Sequence, residues 1–301
     1  MSAGEYSLSI AGLQLDISDR IPLYNTCVSC SVLRIFIPGS TSIECPLCPW
    51  APISDASRRK LSLREITLDR IIWLAKKYRV DMIFLDGPEP LLSPDIASLV
   101  DKVYSGLSGE VLLGFRSLLV SNEIVDYIRN YAAYAVIDYP LKISEESISD
   151  DARLGLLQKL ATEYSTRLEI IIYSTGVPDQ DLIANIIESL RNAFQPVIHL
   201  YVELHSPLAV HAVRKIGLTL KESLENPYVY IHSNFANLVE ENTYCPYCNN
   251  VLVERSDGLM HKCYVKDSRC PNCGRKVRVY CRRDSLPLWL KRSGGEPIWL
   301  M

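Results

Sequence analysis

The sequence predicts an α/β protein on a parallel sheet, open or curled into a barrel, followed by a small metal-stapled module. Three observations lead there. Short, nearly continuous apolar runs recur between residues 32 and 231, with helical patterns between them. Such runs read as strands covered on both faces, and their alternation with helices reads as a parallel sheet. After about residue 240 the texture changes to cysteine, proline and basic residues, which marks a second module. The composition, 48% hydrophobic and 22% charged over 301 residues, suits one large domain plus a small one and gives no sign of disorder.

The expected strands are 32–37, 80–85, 110–115, 134–138, 167–173, 197–204 and 228–231. Ser62-Leu63-Arg64-Glu65 reads as a capping box opening a helix that runs to about Tyr78. Ser93-Pro94 reads as an N-cap followed by proline at the first helical position, opening a helix over 94–106. Further helices are expected over 122–131, 145–163 and 179–194. The resulting organisation is an N-terminal segment with a C-x-x-C (1–31), a large domain (32–240), a cysteine module (241–282) and a tail (283–301). Trp289 and Trp299 in the tail are expected to dock on the domain.

The N-terminus lacks a basic region followed by an apolar run, and no apolar stretch has the length to span a bilayer. A cytoplasmic protein is therefore expected. The net charge of −3 hides an asymmetry: residues 254–292 carry eleven Lys/Arg against four Asp/Glu, a net of +7, leaving −10 for the rest. A basic region of this kind suits nucleic acid or an acidic partner, and a solvated face is the plainer reading.

Eight of the ten cysteines form C-x-x-C pairs: Cys27/Cys30, Cys45/Cys48, Cys245/Cys248 and Cys270/Cys273. A reducing compartment argues against a disulfide framework, and metal sites are the default reading of such pairs. Cys263 and Cys281 read as buried apolar thiols. Cys245-Pro-Tyr-Cys248 and Cys270-Pro-Asn-Cys273-Gly274 supply two knuckles, and four thiolates fill the tetrahedron that zinc prefers. That site is closed and structural. In so small a module the metal supplies much of the folding energy.

Other polar residues carry less. His199, His205, His211 and His232 are scattered, without an H-x-x-H or H-E-x-x-H pattern. Arg116 and Ser117 follow the third strand and are candidates to meet a carboxylate. No P-loop, phosphate-binding glycine loop or nucleophile elbow is present. Cys45-Pro-Leu-Cys48 follows the first expected strand, and Asp86-Gly87-Pro88-Glu89-Pro90 follows the second. The C-terminal ends of parallel strands are where such folds place chemistry.

With these motifs the chain resembles the radical S-adenosylmethionine (SAM) enzymes, in the AmmeMemoRadiSam branch similar to pyruvate formate-lyase-activating enzyme. The resemblance covers about 32–282. It rests on the strand 228–231 followed by Glu241-Asn242-Thr243-Tyr244-Cys245-Pro246, on Glu89-Pro90, on Ser121-Asn122, and on Asp138 with Lys142. It implies a partial (β/α)6 barrel with a C-terminal rubredoxin-like zinc ribbon. It implies a [4Fe–4S] cluster held by three cysteines in C-x-x-x-C-x-x-C, with SAM cleaved to a radical that acts on a protein or small-molecule substrate. Glu89 would then hold the SAM amino group, and Asp86, Asn122, Asp138 and Lys142 would stand around the cofactor.

The position four before Cys45 is Thr41, whose hydroxyl replaces thiolate poorly on iron–sulfur. Three arrangements stay open. Cys27 or Cys30 completes an open cluster with Cys45 and Cys48; or all four bind one closed ion or cluster; or the thiols only pack. The second needs no rescue, because the C-x2-C-x14-C-x2-C spacing is close to that of four-cysteine zinc sites. Glu89 also admits a helix-cap reading, and Asp138 with Lys142 a surface ion pair. Two functions follow: a radical-SAM enzyme, or a catalytically silent protein with two closed four-cysteine zinc sites that binds nucleic acid or a protein.

Overall fold

The computed structural model describes residues 6–38, 48, 63–107, 111–119, 121–141, 150–164, 167–191, 196–223, 225–226, 228–234, 241–282, 289–290 and 296–300. The chain opens with β1 (Ser7–Ile10), β2 (Gly12–Ile17) and β3 (Ser31–Phe36). β4 (Arg64–Thr67) leads straight into α1 (Leu68–Tyr78). Strands and helices then alternate: β5 (Met82–Asp86), α2 (Ile96–Leu107), β6 (Leu112–Ser117), α3 (Asn122–Tyr131) and β7 (Tyr134–Pro140). The alternation continues through α4 (Asp150–Tyr164), β8 (Leu168–Thr175), α5 (Gln180–Arg191), β9 (Val197–Glu203), α6 (Val210–Ser223) and β10 (Val229–Ser233). The C-terminal module is a three-stranded antiparallel sheet of β11 (Thr243–Tyr244), β12 (Val251–Ser256) and β13 (Leu259–Cys263); β14 (Ile298–Trp299) comes last.

Seven parallel strands stand side by side in chain order, β3-β5-β6-β7-β8-β9-β10. Parallel crossovers are right-handed, so strands laid down in chain order send every helix to one face. The core reflects this. Ile71, Leu99, Ile124, Leu157, Ile183 and Val213 of the helices pack with Ile35, Leu85, Phe115, Ile137, Ile170 and Leu200 of the strands. On the opposite face Val32, Met82, Phe84, Val136, Ile171 and Tyr173 are covered by Ile21, Leu23, Cys27 and Cys30 from the segment between β2 and β3. The winding is that of a βα barrel left open, with β10 at one edge and β14 at the other.

The N-terminal segment belongs to the main sheet. β2 pairs antiparallel with β3, and β14 pairs antiparallel with β2. Trp299 stacks on Phe36 with ring centroids 5.5 Å apart, and Trp289 packs against the main core, so both tail tryptophans dock on the domain as expected. Ser62 of the expected capping box lies outside the described residues, and Glu65 is not in a helix. Arg64–Thr67 is a strand paired with β1, and Glu65 accepts a hydrogen bond from Ser7 Oγ at 2.9 Å. Helix α1 instead starts at Thr67, whose Oγ1 accepts from the Arg70 N–H at 3.3 Å. Helix α6 was not anticipated.

The cysteine module is locked to the N-terminal segment by Arg255, whose side chain is fully buried. Its Nη2 donates to the Tyr24 carbonyl at 2.6 Å, its Nη1 donates to Thr243 Oγ1 at 2.8 Å, and its Nε lies 3.3 Å from Asp19 Oδ1. The guanidinium also sits over the Tyr24 ring at 4.1 Å. Among the described residues no helix is long and apolar enough to cross a membrane.

Candidate functional site

The mouth at the C-terminal ends of the parallel strands is built from polar residues set inside otherwise apolar runs. Strand alternation turns them to the face opposite the helices. One residue from each of six neighbouring strands forms a row of alternating charge: Asp16 (β2), Arg34 (β3), Asp86 (β5), Arg116 (β6), Asp138 (β7) and Tyr173 (β8). Arg34 Nη1 lies 3.5 Å from Asp16 Oδ2, and Arg34 Nε donates to Asp86 Oδ2 at 2.6 Å. Arg116 Nε lies 2.8 Å from Asp86 Oδ1, and Arg116 Nη1 donates to Asp138 Oδ1 at 2.9 Å. Tyr173 Oη donates to the same Asp138 oxygen at 3.1 Å. Asp86, Arg116 and Asp138 are shut off from solvent, where an unpaired charge costs several kcal/mol. Burial alone would raise the Asp86 carboxyl; the guanidiniums of Arg116 and Arg34 outweigh it and hold the group below its usual range. Gly87 lets the chain turn here: its φ is +144°, and a Cβ would lie 2.3 Å from the Ile37 carbonyl oxygen.

Beside this row stands Glu89, 2% exposed. Its Oε2 accepts from Ser117 Oγ at 3.0 Å and from the Leu118 N–H at 2.9 Å. The loop after β6 bends around it, with Leu119 at φ 53°. Its other oxygen, Oε1, is buried and has no hydrogen-bond partner among the described residues. Burial, with the nearby Asp138 charge adding to it, pushes the Glu89 carboxyl up to about 8. Although Glu89 precedes a 3-10 turn at Pro90–Leu92, it makes no side-chain cap bond, so the helix-cap reading fails.

Deeper on the same face lies a chain of three titratable groups. Glu169 Oε1 accepts from the N–H groups of Asn25 and Thr26 and from Thr26 Oγ1, and Oε2 accepts from the Tyr24 N–H at 2.9 Å. Oε2 also lies 2.8 Å from His199 Nε2, and His199 Nδ1 lies 3.0 Å from His232 Nε2. Burial would raise Glu169; the bonds from His199, Thr26 and Asn25 hold it low. Burial keeps His199 below the usual imidazole range despite Glu169. It lowers His232 further, with His199 and Arg255 adding to the effect.

In the C-terminal module the four sulfurs of Cys245, Cys248, Cys270 and Cys273 lie within 4.8 Å of one another, a group that could hold a metal ion. Cys245 and Cys273 sulfurs are 3.7 Å apart, as are those of Cys248 and Cys270. The two knuckles repeat one geometry. The N–H of Asn249 donates to the Cys245 carbonyl at 3.0 Å, and that of Gly274 to the Cys270 carbonyl at 2.9 Å. Both donors have positive φ, 54° and 70°.

The N-terminal cysteines differ from expectation. Cys27 and Cys30 are joined in a disulfide and offer no thiolate; Cys45 and Thr41 lie outside the described residues. Cys48 is buried in the same apolar cluster as Cys27 and Cys30 and is itself disulfide-bonded, so it too offers no thiolate. Cys263 and Cys281, expected as packed thiols, are also joined in a disulfide. Adjacent knuckle cysteines lie close enough to oxidise together, and β13 brings Cys263 to Cys281; spacing in sequence shows only the first of these.

Of the residues expected around a cofactor, Glu89, Asp86 and Asp138 come together at the mouth. Asp138 is fully buried, which overturns its surface ion-pair reading. Asn122 does not join them: it opens α3, is exposed, and accepts from Lys159 Nζ at 3.0 Å on the helix layer. Lys142 lies outside the described residues. Arg116 and Ser117 do meet carboxylates, Asp86 and Asp138 for the first and Glu89 for the second. Glu169, His199 and His232 were missed as a group, although each stands in or beside an apolar run on the inward alternation.

No family model matches the chain. It is similar to the uncharacterized protein MJ0808 of Methanocaldococcus jannaschii, 22% identical over 289 residues, spanning 90% of this chain and 84% of that protein. Among solved structures it overlaps N-acetylneuraminate lyase from Mycoplasma synoviae, at 13% identity and TM-score 0.33, over 56% of this chain and 55% of the lyase. A type I 3-dehydroquinate dehydratase from Clostridium difficile overlaps at 14% identity and TM-score 0.34, over 55% of this chain and 71% of the dehydratase.

Proposed function

We propose that this chain is a metal-binding protein of the radical-SAM lineage, whose mouth takes SAM by its amino-acid end and whose C-terminal ribbon is held by zinc. One observation carries the reading. Glu89 is buried just after β5 with one oxygen unpartnered among the described residues, on a mouth whose neighbouring charges are matched. The resemblance gives that position to the SAM ammonium, and an ammonium would supply the missing partner. The chain-order parallel sheet supports a partial (β/α)6 barrel. Zinc suits the four-sulfur group: zinc–thiolate bonds of about 2.3 Å give tetrahedral edges of about 3.8 Å, two of the sulfur pairs lie 3.7 Å apart, and all four sulfurs lie within 4.8 Å of one another.

A [4Fe–4S] cluster does not fit the N-terminal sulfurs as they stand, because Cys27 and Cys30 are bonded to each other. What the chain's own residues do is narrower. Glu89 receives and orients a cation, Ser117 and the Leu118 amide fix its carboxyl, and the Arg116 row keeps the surrounding charge balanced. Thr41 favours a second reading, a catalytically silent protein that uses the basic C-terminal region to bind nucleic acid or protein, with zinc at the C-terminal set and, once the Cys27–Cys30 disulfide is reduced, at the N-terminal set as well.

The test is anaerobic purification under reducing conditions, with zinc, iron and sulfide analysis, SAM calorimetry and a search for 5′-deoxyadenosine on reduction. SAM should bind, and Glu89→Gln should weaken it by at least about tenfold, or 1.4 kcal/mol. The ammonium needs ionised Glu89, whose carboxyl is raised to about 8. Affinity should therefore rise about tenfold per pH unit from about pH 6 to 8. Zinc in both cysteine sets with no SAM binding would install the second reading instead.

A further inference from the structure

We infer that His232 and Tyr201 form a proton-transfer site at the mouth, backed by His199 and Glu169, for an uncharged molecule bearing a hydroxyl beside a second oxygen. The inference is independent of the SAM reading.

The hydrogen-bond chain fixes the direction of proton flow. Glu169 already accepts from three backbone N–H groups and one hydroxyl, so its contact with His199 Nε2 is donation by the imidazole. His199 Nδ1 is then an acceptor, and the proton on the 3.0 Å contact belongs to His232 Nε2. That leaves His232 Nδ1 as a lone-pair acceptor. Among the described residues neither His232 Nδ1 nor Tyr201 Oη has a hydrogen-bond partner, and neither is among the buried unsatisfied atoms. Both side chains are half-buried, and their rings stack with centroids 4.3 Å apart. The backbone register aligns Tyr173, Tyr201 and His232 in one row across the ends of β8, β9 and β10. An open imidazole acceptor and an open phenol thus lie side by side where parallel strands end.

The step balances without a co-reactant. His232 Nδ1 takes a proton from the ligand hydroxyl, while the His232 Nε2 proton passes to His199 Nδ1. The ligand oxygen becomes anionic, His232 stays neutral with its proton relocated, and His199 becomes an imidazolium against the Glu169 carboxylate. Tyr201 Oη donates to the second oxygen. The ligand is assigned as uncharged because nearby ionic groups are matched within the protein. Arg116 is spent on Asp86 and Asp138, and Glu169 on the backbone of residues 24–26. Charged and titratable groups around His232 and Tyr201 are His199, Glu169, Arg255, Glu241, Tyr24 and Tyr230; burial keeps His232 neutral, as a base must be, with His199 and Arg255 adding to the effect. His232 and Tyr201 would touch the ligand; His199 and Glu169 position His232.

Imidazole 15N spectra of the intact chain test the relay. His232 and His199 should both carry the proton on Nε2, and Glu169→Gln should change the tautomer balance at His232. An Nδ1–H tautomer of His232 in the native protein overturns the proposal whether or not that variant folds. Diethyl pyrocarbonate with peptide mapping tests access. His232 should react in the folded protein while His199 does not. Between about pH 7.5 and 5.5 its rate should fall less than twofold, against about tenfold for N-acetylhistidine. A His232 that stays unmodified, or follows N-acetylhistidine, refutes the site. Dihydroxyacetone, the probe for the ligand class, should slow this reaction; unchanged rates overturn the class assigned.

Discussion

Replacing Glu89 by glutamine probes the physical state of the mouth directly. The carboxyl is 2% exposed and its folded value is about 8 against an ordinary 4.5. The folded state therefore holds this proton more tightly than the unfolded chain does. That contribution is complete below the unfolded value and is lost as pH rises through the folded one. Each tenfold difference in proton affinity corresponds to about 1.4 kcal/mol, so ionising Glu89 costs the native state up to roughly 5 kcal/mol above pH 8. Glutamine keeps the bonds from Ser117 and Leu118 but never ionises. At about pH 4, where both states keep the proton, the variant and the parent should agree within about 1 kcal/mol, and by about pH 5.5 the variant should already have gained about 1.4 kcal/mol on the parent. By about pH 8.5 the variant should be the more stable by several kcal/mol, the gap opening at up to about 1.4 kcal/mol per pH unit. Urea unfolding at three pH values, with zinc and redox conditions fixed, measures that gap. Two curves that stay parallel from pH 5.5 to 8.5 would mean Glu89 ionises normally, and the buried, unpartnered Oε1 would have no energetic meaning.

Under the proposed metal assignment, strong chelator should unfold β11–β13 first, seen as loss of amide protection there while β5–β9 stay protected; an intact module in strong chelator removes that assignment. Arg255→Ala leaves Asp19 buried without its cation and should cost about 3–5 kcal/mol in urea unfolding, whereas a cost under about 1 kcal/mol would make the pair peripheral. Gly217→Ala sets a methyl 1.8 Å from Ile231 Cδ1. It should lower stability by about 1–3 kcal/mol, and Ile231→Val should recover part of that loss.

The parallel sheet was legible because burial on both faces writes strands as apolar runs. All seven parallel strands fall on runs identified in the sequence, from Val32-Leu-Arg-Ile-Phe36 to Tyr228-Val-Tyr-Ile231. Helix α6 was not recognised, although its buried positions Val210, Val213, Gly217 and Leu220 keep helical spacing. A glycine on the packed face and four basic or histidine side chains blurred the stripe. Strands β2 and β14 were illegible for another reason. Their pairing is a fact about distant segments, Ile298 with Leu15, that local pattern does not encode. At the site, the grouping of Cys245, Cys248, Cys270 and Cys273 was plain because it is written in their spacing. The relay was not, because Glu169, His199 and His232 are related only through neighbouring strands. A polar residue at an inward position of an apolar strand was the one available clue.

The file of opposite charges across β2 to β7 has a consequence for how this protein can change. Each interior member serves two neighbours, so Arg116 lost by itself leaves Asp86 and Asp138 confronting each other in a dry interior. Substitutions there must arrive as concerted sets or begin at the wetter end, at Arg34 and at Arg20, whose Nη1 lies 3.2 Å from Asp16 Oδ1, and drift on this face becomes directional.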